Sequence, residues 1–480
     1  MRELAERALD AANAAGATYA DCRVITRTLQ DMTVKNGVLV GVTLSEDEGF
    51  GIRVIVDGAW GFASVDKLDG PSLESTARHA VRIARASARV RRDAVRLSPL
   101  VGQTGEYRTP VIRDPFDVSL DDKVDLLMRT DAALAENPAV TVRECSLEFV
   151  REHRYFASSE GARLDQTIVE SGGGLDATAT SDDEVQVRSF PNSFGRHQLC
   201  AGWEAIEGFK LVENAPRIAD EAVALLTAPR CPTGVMTLIL DGTQAALQVH
   251  ESCGHATELD RVLGYEAAYA GTSFLTTDLL AGFQYGSEHV TLTADATRPQ
   301  GLGTFGWDDE GVPAQRTVLV DQGRFAGYMS SRETAPAIGQ SSNGTMRADG
   351  WSRIPIIRMT NVNLEPGDGT LEEMIAGTEH GVYLETNRSW SIDDRRLNFQ
   401  FGTQAGWEIV DGKRTRLVRN ALYSGITPEF WRSCDAVAGP DEWVMWGVVN
   451  CGKGEPSQLM HVGHGAAPCR FRNIRVSAAR

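Results

Sequence analysis

Nothing in this chain of 480 residues reads as a membrane span, since no apolar run approaches the roughly 20 residues a helix needs to cross a bilayer. A secretory signal is missing too, because Met1-Arg2-Glu3-Leu4-Ala5-Glu6-Arg7-Ala8-Leu9 mixes charge with apolar side chains. Cysteine is sparse and scattered. The eight cysteines show no C-x-x-C or comparable spacing, which argues against a disulfide framework and predicts a reducing, cytoplasmic compartment. Positive charge is also short. With 48 Lys and Arg against 65 Asp and Glu the net charge is -17, so no surface for nucleic acid phosphates is expected and the acidity is read as serving solubility. Internal repeats and low-complexity tracts are absent.

What remains is the composition of a soluble globular protein, 42% hydrophobic and 24% charged, long enough for more than one domain. Leu4 to Ala14 has helical composition, and Tyr19 to Thr28, Val34 to Thr43 and Gly49 to Val56 read as strands, with Asp57-Gly58 as a hairpin turn. A helix is predicted from Pro71 to Ala88, and a second opens at Ser119, an N-cap with Asp122 three residues on, and runs to about Glu136. Val140 to Val187 alternates like a β-meander with turns at Ser158 to Gly161 and Gly172 to Gly174. Pro216 to Leu226 is helical, and Thr227 to Gly234 is the clearest linker. A hairpin is predicted at Val318 to Phe325. The expected fold is α+β with two domains, 1-227 and 228-480. Mostly antiparallel sheet is expected in the second, with a helix carrying a candidate metal motif packed on it.

That motif is His250-Glu251-Ser252-Cys253-Gly254-His255, an H-E-x-x-x-H one residue longer than the H-E-x-x-H of zinc peptidases. Histidines at i and i+4 lie about 40° apart around an α-helix, whereas at i+5 they diverge by about 140°. Two imidazoles can then reach one ion only if the helix widens into a π-type turn, a distortion typical of functional sites. Gly254 would ease such a distortion. The strand-like run Val235 to Leu240 and the helix start at Asp241-Gly242-Thr243 place the motif on a helix behind a strand.

A zinc peptidase site needs a third protein ligand and an open position for water. Glu258, Asp260, Glu266 and Glu288 come soon after the motif, and the C-terminal stretch offers Cys451, His461 and His464. Spacing does not choose among them. A thiolate is a strong zinc donor, and Cys451 sits between a β-like run and glycines where a loop could deliver it.

The chain resembles the TldD/PmbA (TldD/TldE) metallopeptidases over nearly its whole length. The resemblance is carried by His250 to Asp260, by Asp308-Asp309-Glu310-Gly311-Val312-Pro313 with Gly327-Tyr328-Met329, by Asn343-Gly344 with Arg347, by Pro355 with Arg358-Met359-Thr360-Asn361, and by Cys451-Gly452-Lys453. It implies a metal bound by His250, His255 and Cys451, with Glu251 as the catalytic base. The metal would be zinc (Zn2+) and the reaction peptide hydrolysis. It also implies pairing with a TldE/PmbA-like subunit that lacks the metal motif, or a homodimer, enclosing a site open to unfolded or extended peptides. Such peptides could dock by strand addition. His461 and His464 fall where that pattern does not require histidine and are expected to be bystanders. Tyr328 is an oxyanion candidate by residue type alone, with a core role as its alternative, and Arg358 a candidate for a peptide carboxylate or a structural ion pair. A scaffold without turnover and a hydrolase of a non-peptide amide are the rival functions.

Overall fold

The structure, a computed structural model, describes residues 1–479. It is α+β with mostly antiparallel sheets. An eight-stranded sheet fills the first part of the chain, with the long strands Tyr19–Lys35, Val38–Val56, Val140–Ser158 and Arg163–Thr180 at its centre. Helices Arg2–Ala14 and Gly70–Ala88 cover one region of it through alanines and leucines such as Ala8, Leu9, Leu73 and Ala77. Helices Leu120–Leu134 and Leu211–Thr227 cover another through Leu127, Leu134, Ile218 and Ala222. Both capped starts have a physical cause: Asp69 accepts from the Ser72 amide and Ser119 from the Asp122 amide.

Two readings of this sheet differ from the sequence-based expectation. Val34 to Thr43 is not one strand, because Asn36 and Gly37, both at positive φ, turn the chain between Tyr19–Lys35 and Val38–Val56. An Asn-Gly pair is the usual solution for a two-residue hairpin. Gly172 to Gly174 are not a turn but lie inside strand Arg163–Thr180. Their role is clearance. A Cβ on Gly174 would stand 2.2 Å from the Gly195 carbonyl oxygen, and one on Gly172 2.7 Å from the Gln198 side chain, so the glycines let the loop around Phe194 lie against the sheet.

The second large sheet runs His380–Ile392, Gly234–Leu240, Cys469–Ala478, Ala421–Ile426, Asn398–Val410, and closes because Asn398–Val410 also pairs with His380–Ile392. Only the pairing of Gly234–Leu240 with His380–Ile392 is parallel in this sheet, among the described residues. Helix Gly242–Val249 packs on it. Asp241 caps the helix through the Thr243 and Gln244 amides, and Tyr423 and Trp431 from the sheet side bond Gln244, Gln248 and Ser252. The helix is buried on nearly every side, so the segment after Val249 leaves from a rigid base. The expected hairpin is present as Arg316–Asp321 and Arg324–Phe325, turning at Gln322-Gly323.

Candidate metal centre

Beyond Val249 the helix widens. Residues His250–Gly254 form a π turn in which the His255 amide donates to the His250 carbonyl, five residues back, and a 3₁₀ turn comes next at His255–Thr257. The wider turn brings the two imidazoles to a centroid separation of 5.0 Å. Gly254 has a different role from the one expected. Its φ of -50° is ordinary helix, and its lack of a side chain is what matters, since a Cβ there would lie 2.3 Å from the Met359 sulfur.

Cys451 arrives from far down the chain on strand Val444–Lys453, which forms a hairpin with Gln458–Ala466. Arg358, fully buried, donates to the carbonyls of Cys451 and Gln458 at 2.5 and 3.0 Å and so pins this hairpin; among the described residues it meets no carboxylate. One donor atom each from His250, His255 and Cys451 lies within 4.8 Å of the others. The Cys451 sulfur stands 3.6 Å from His255 Nε2. Tetrahedral zinc, with bonds of about 2.05 Å to nitrogen and 2.3 Å to sulfur, requires roughly that separation. The donor set therefore fits the metal.

The outer partners decide which nitrogens are free. His464 donates from Nδ1 to the Val362 carbonyl at 2.8 Å, so its Nε2 accepts from His250 Nδ1 at 2.7 Å and leaves His250 Nε2 with its lone pair. His255 Nδ1 donates to Glu258 at 3.0 Å, which frees His255 Nε2 toward Cys451. Glu258 is held in turn by Lys453 at 3.4 Å, and Lys453 also bonds Asp260 at 2.7 Å. Burial pushes His250, His255 and His464 below the usual imidazole range, keeping them neutral and able to ligate. Burial raises the Cys451 thiol, but its neighbours His255, within hydrogen-bond reach, and Arg358 outweigh it and the thiol ends below its ordinary value. The other thiols move the opposite way. Burial pushes Cys231, Cys253 and Cys434 up to about 12, and Cys22, Cys145, Cys200 and Cys469 are raised as well.

Glu251 projects beside these groups into a cavity of about 450 Å³, lined also by Leu247, Asn387, Trp390, Arg396 and the Phe194 loop. Arg396 donates from Nη1 to Glu251 Oε2 at 2.5 Å. Two exposed aromatics, Phe194 and Trp390, meet edge to face in this cavity at 6.1 Å. The remaining candidates sit elsewhere. Glu258 and Asp260 stand behind the three donors, Glu266 accepts from the Gly454 amide, and Glu288 lines a separate surface cavity. Tyr328 is a core residue whose hydroxyl donates to the Leu275 carbonyl. His461 pairs with Glu170 at 2.6 Å, away from the donors, whereas His464 is no bystander because it orients His250. His464 stood among the third-ligand candidates, but sequence spacing carried no signal for its orienting role, nor for Arg396.

Family models for the PmbA/TldA metallopeptidases match three stretches: domain 1 at 20–84, the central domain at 113–228 and the C-terminal domain at 233–478. The chain is 30% identical to a metalloprotease of Methanothermobacter thermautotrophicus, over 95% of each protein. It is 23% identical to a zinc metalloprotease TldD homolog of Saccharolobus solfataricus, over 86% of this chain and 87% of that one. Among solved structures, TldE from Thermococcus kodakarensis superposes with a TM-score of 0.77 at 17% identity, covering 99% of this chain and 100% of that one.

Proposed function

The chain belongs to the PmbA/TldA metallopeptidase family, and on that premise we propose that it is a zinc-dependent peptidase acting on unfolded or extended peptides. The observation that carries this reading is the convergence of one donor atom each from His250, His255 and Cys451 beside Glu251 in one cavity. A zinc ion held by these three would lower the pKa of a water in its open position and polarise the scissile carbonyl. Glu251 is the base in this reading. One of its oxygens is engaged by Arg396, and the other is available to take the water's proton and pass it to the leaving amine. His464 and Glu258 keep both imidazoles in the ligating tautomer.

Residues 1-227 would wall the cavity through Ser146, Asp176 and the Phe194 loop, while 228-480 would supply the chemistry. A cavity of this size would suit a segment of extended chain and not a folded domain, which supports that substrate class. The likeness to TldE supports a two-subunit assembly with a TldE/PmbA-like partner, and eight free thiols support a reducing, cytoplasmic setting. No helix among the described residues is long and apolar enough to cross a membrane.

The test joins metal analysis to a cleavage assay on an unfolded protein, with and without a TldE/PmbA-like partner. Stoichiometric zinc and peptide-bond cleavage abolished by chelation are expected. Zinc without cleavage of any peptide would favour the non-peptide amide hydrolase, and loss of both would favour the scaffold.

A further inference from the structure

Peptide hydrolysis needs a donor for the oxyanion of its tetrahedral intermediate, and with Tyr328 in the core that position is unassigned. Arg396 lies at the turn between strands His380–Ile392 and Asn398–Val410 and lines the same cavity as His250, Glu251, His255 and Cys451. Its backbone is fixed with φ 63°, a conformation unusual for arginine. The Arg396 amide donates to the Asp393 carbonyl at 2.9 Å, and its own carbonyl accepts from the Thr427 hydroxyl at 2.8 Å. Asp393 closes the same turn through the Leu397 and Asn398 amides. The base of the side chain is therefore anchored before any substrate arrives.

Among the described residues the guanidinium meets Glu251 through Nη1 alone, and its Nε is buried with no partner. An arginine whose only task was to clamp a carboxylate would be expected to present two parallel donors to it. Here one end of the planar fork is used and donors remain unspent at the wall of the cavity, 16% of the side chain being exposed. A fixed cation with free donors, touching the base, is what an oxyanion site demands.

We propose that Arg396 is the oxyanion-binding residue of this site, an assignment that rests on the peptidase reading above. Water oxygen bonds to the scissile carbon, the carbonyl π pair moves onto oxygen, and the water's proton goes to Glu251. Arg396 donates a hydrogen bond to that oxygen while Nη1 stays on Glu251. The C–N bond then breaks as the oxyanion's pair returns, and the proton on Glu251 goes to the leaving nitrogen. Arg396 keeps its own proton throughout.

The experiment uses the full-length, zinc-loaded protein with any partner subunit it requires, and compares Arg396→Gln and Arg396→Lys with the parent. Three quantities are read: zinc content, kcat and KM on a cleaved peptide, and inhibition by the phosphinic peptide of the same sequence, whose tetrahedral anion mimics the intermediate. For Arg396→Gln we expect unchanged zinc, an unchanged KM, a kcat lower by about 100-fold, and phosphinic peptide binding weakened by a similar factor. The lysine variant, which keeps the charge, should fall between. A loss of kcat with undiminished phosphinic affinity in both variants would overturn the assignment and leave Arg396 as a positioning residue for Glu251. A parent protein that neither cleaves peptides nor binds the phosphinic peptide would overturn the peptidase reading and this assignment with it.

Discussion

At the scale of single residues, the site separates groups that would hold a metal from groups that aim them. Cys451→Ala removes one of three donors from a site with no spare ligand at hand, since Glu258 is committed to His255 and His464 to His250. The variant should lose zinc on dialysis while its circular dichroism stays that of the parent. Glu251→Gln keeps the size of the side chain but not its basicity, so zinc and peptide binding should persist while turnover drops by about 100-fold or more. His464→Ala belongs to a different class. It leaves the three donors intact but strips the acceptor from His250 Nδ1, and zinc affinity should fall by about 10- to 100-fold in a competitive chelator titration. The convergence of His250, His255 and Cys451 was legible in the chain, because the histidine pair and the family resemblance of the C-G-K segment both point to them. His464 was not, since it acts only through a hydrogen bond made across 214 residues of sequence.

At the scale of elements, the i+5 spacing forecast the π turn on geometry alone, and the amide of His255 bonded to the carbonyl of His250 is that turn. Deleting Cys253 would restore the i+4 spacing of ordinary zinc peptidases. It would also rotate everything after it by about 100° relative to Tyr423 and Trp431, which hold Gln248 and Ser252, carrying His255 away from Cys451 and Glu258. Zinc affinity should therefore fall in the deletion variant. A chelator titration in which the shortened motif binds as tightly as the parent would contradict the geometric argument. Less legible were the glycines. Gly172 to Gly174 look like a turn in sequence, and their true reason, room for the loop around Gly195 and Gln198, exists only once the sheet has formed. Gly254 misled in the same way, because crowding by Met359 cannot be seen in a local window.

At the scale of the whole molecule, the first sheet and the later part of the chain are joined by buried charge. Asp309 accepts from Arg154 and, at 3.4 Å, from Arg23, residues of strands Val140–Ser158 and Tyr19–Lys35, and it also accepts from the Ala348 amide at 2.7 Å. Glu310 approaches Arg53 at 3.6 Å and accepts from the Arg332 amide at 2.7 Å. No sequence pattern announces a bond between residues 286 positions apart, so this joint was invisible before folding. Removing Asp309 would leave Arg23, whose side chain is 1% exposed, with the Gly350 and Arg353 carbonyls but without its paired carboxylate, and breaking a buried pair in this way costs about 3–5 kcal/mol. Asp309→Ala should thus lower the urea midpoint by a wide margin. The network also sets an acid limit. Burial pushes Glu152 up, but Arg154 and Arg27 outweigh it and bring the carboxyl to about 2, below its ordinary 4.5. A depressed folded pKa means that the folded state holds the proton less tightly than the unfolded chain. The stabilisation is therefore complete above about pH 4.5 and is lost as pH falls toward 2. Urea midpoints measured from pH 7 down to pH 3 should decline below pH 4.5 in the parent, and the decline should be shallower in Glu152→Gln, which has no carboxyl to protonate. An equal slope in both proteins would mean that other carboxylates control acid unfolding.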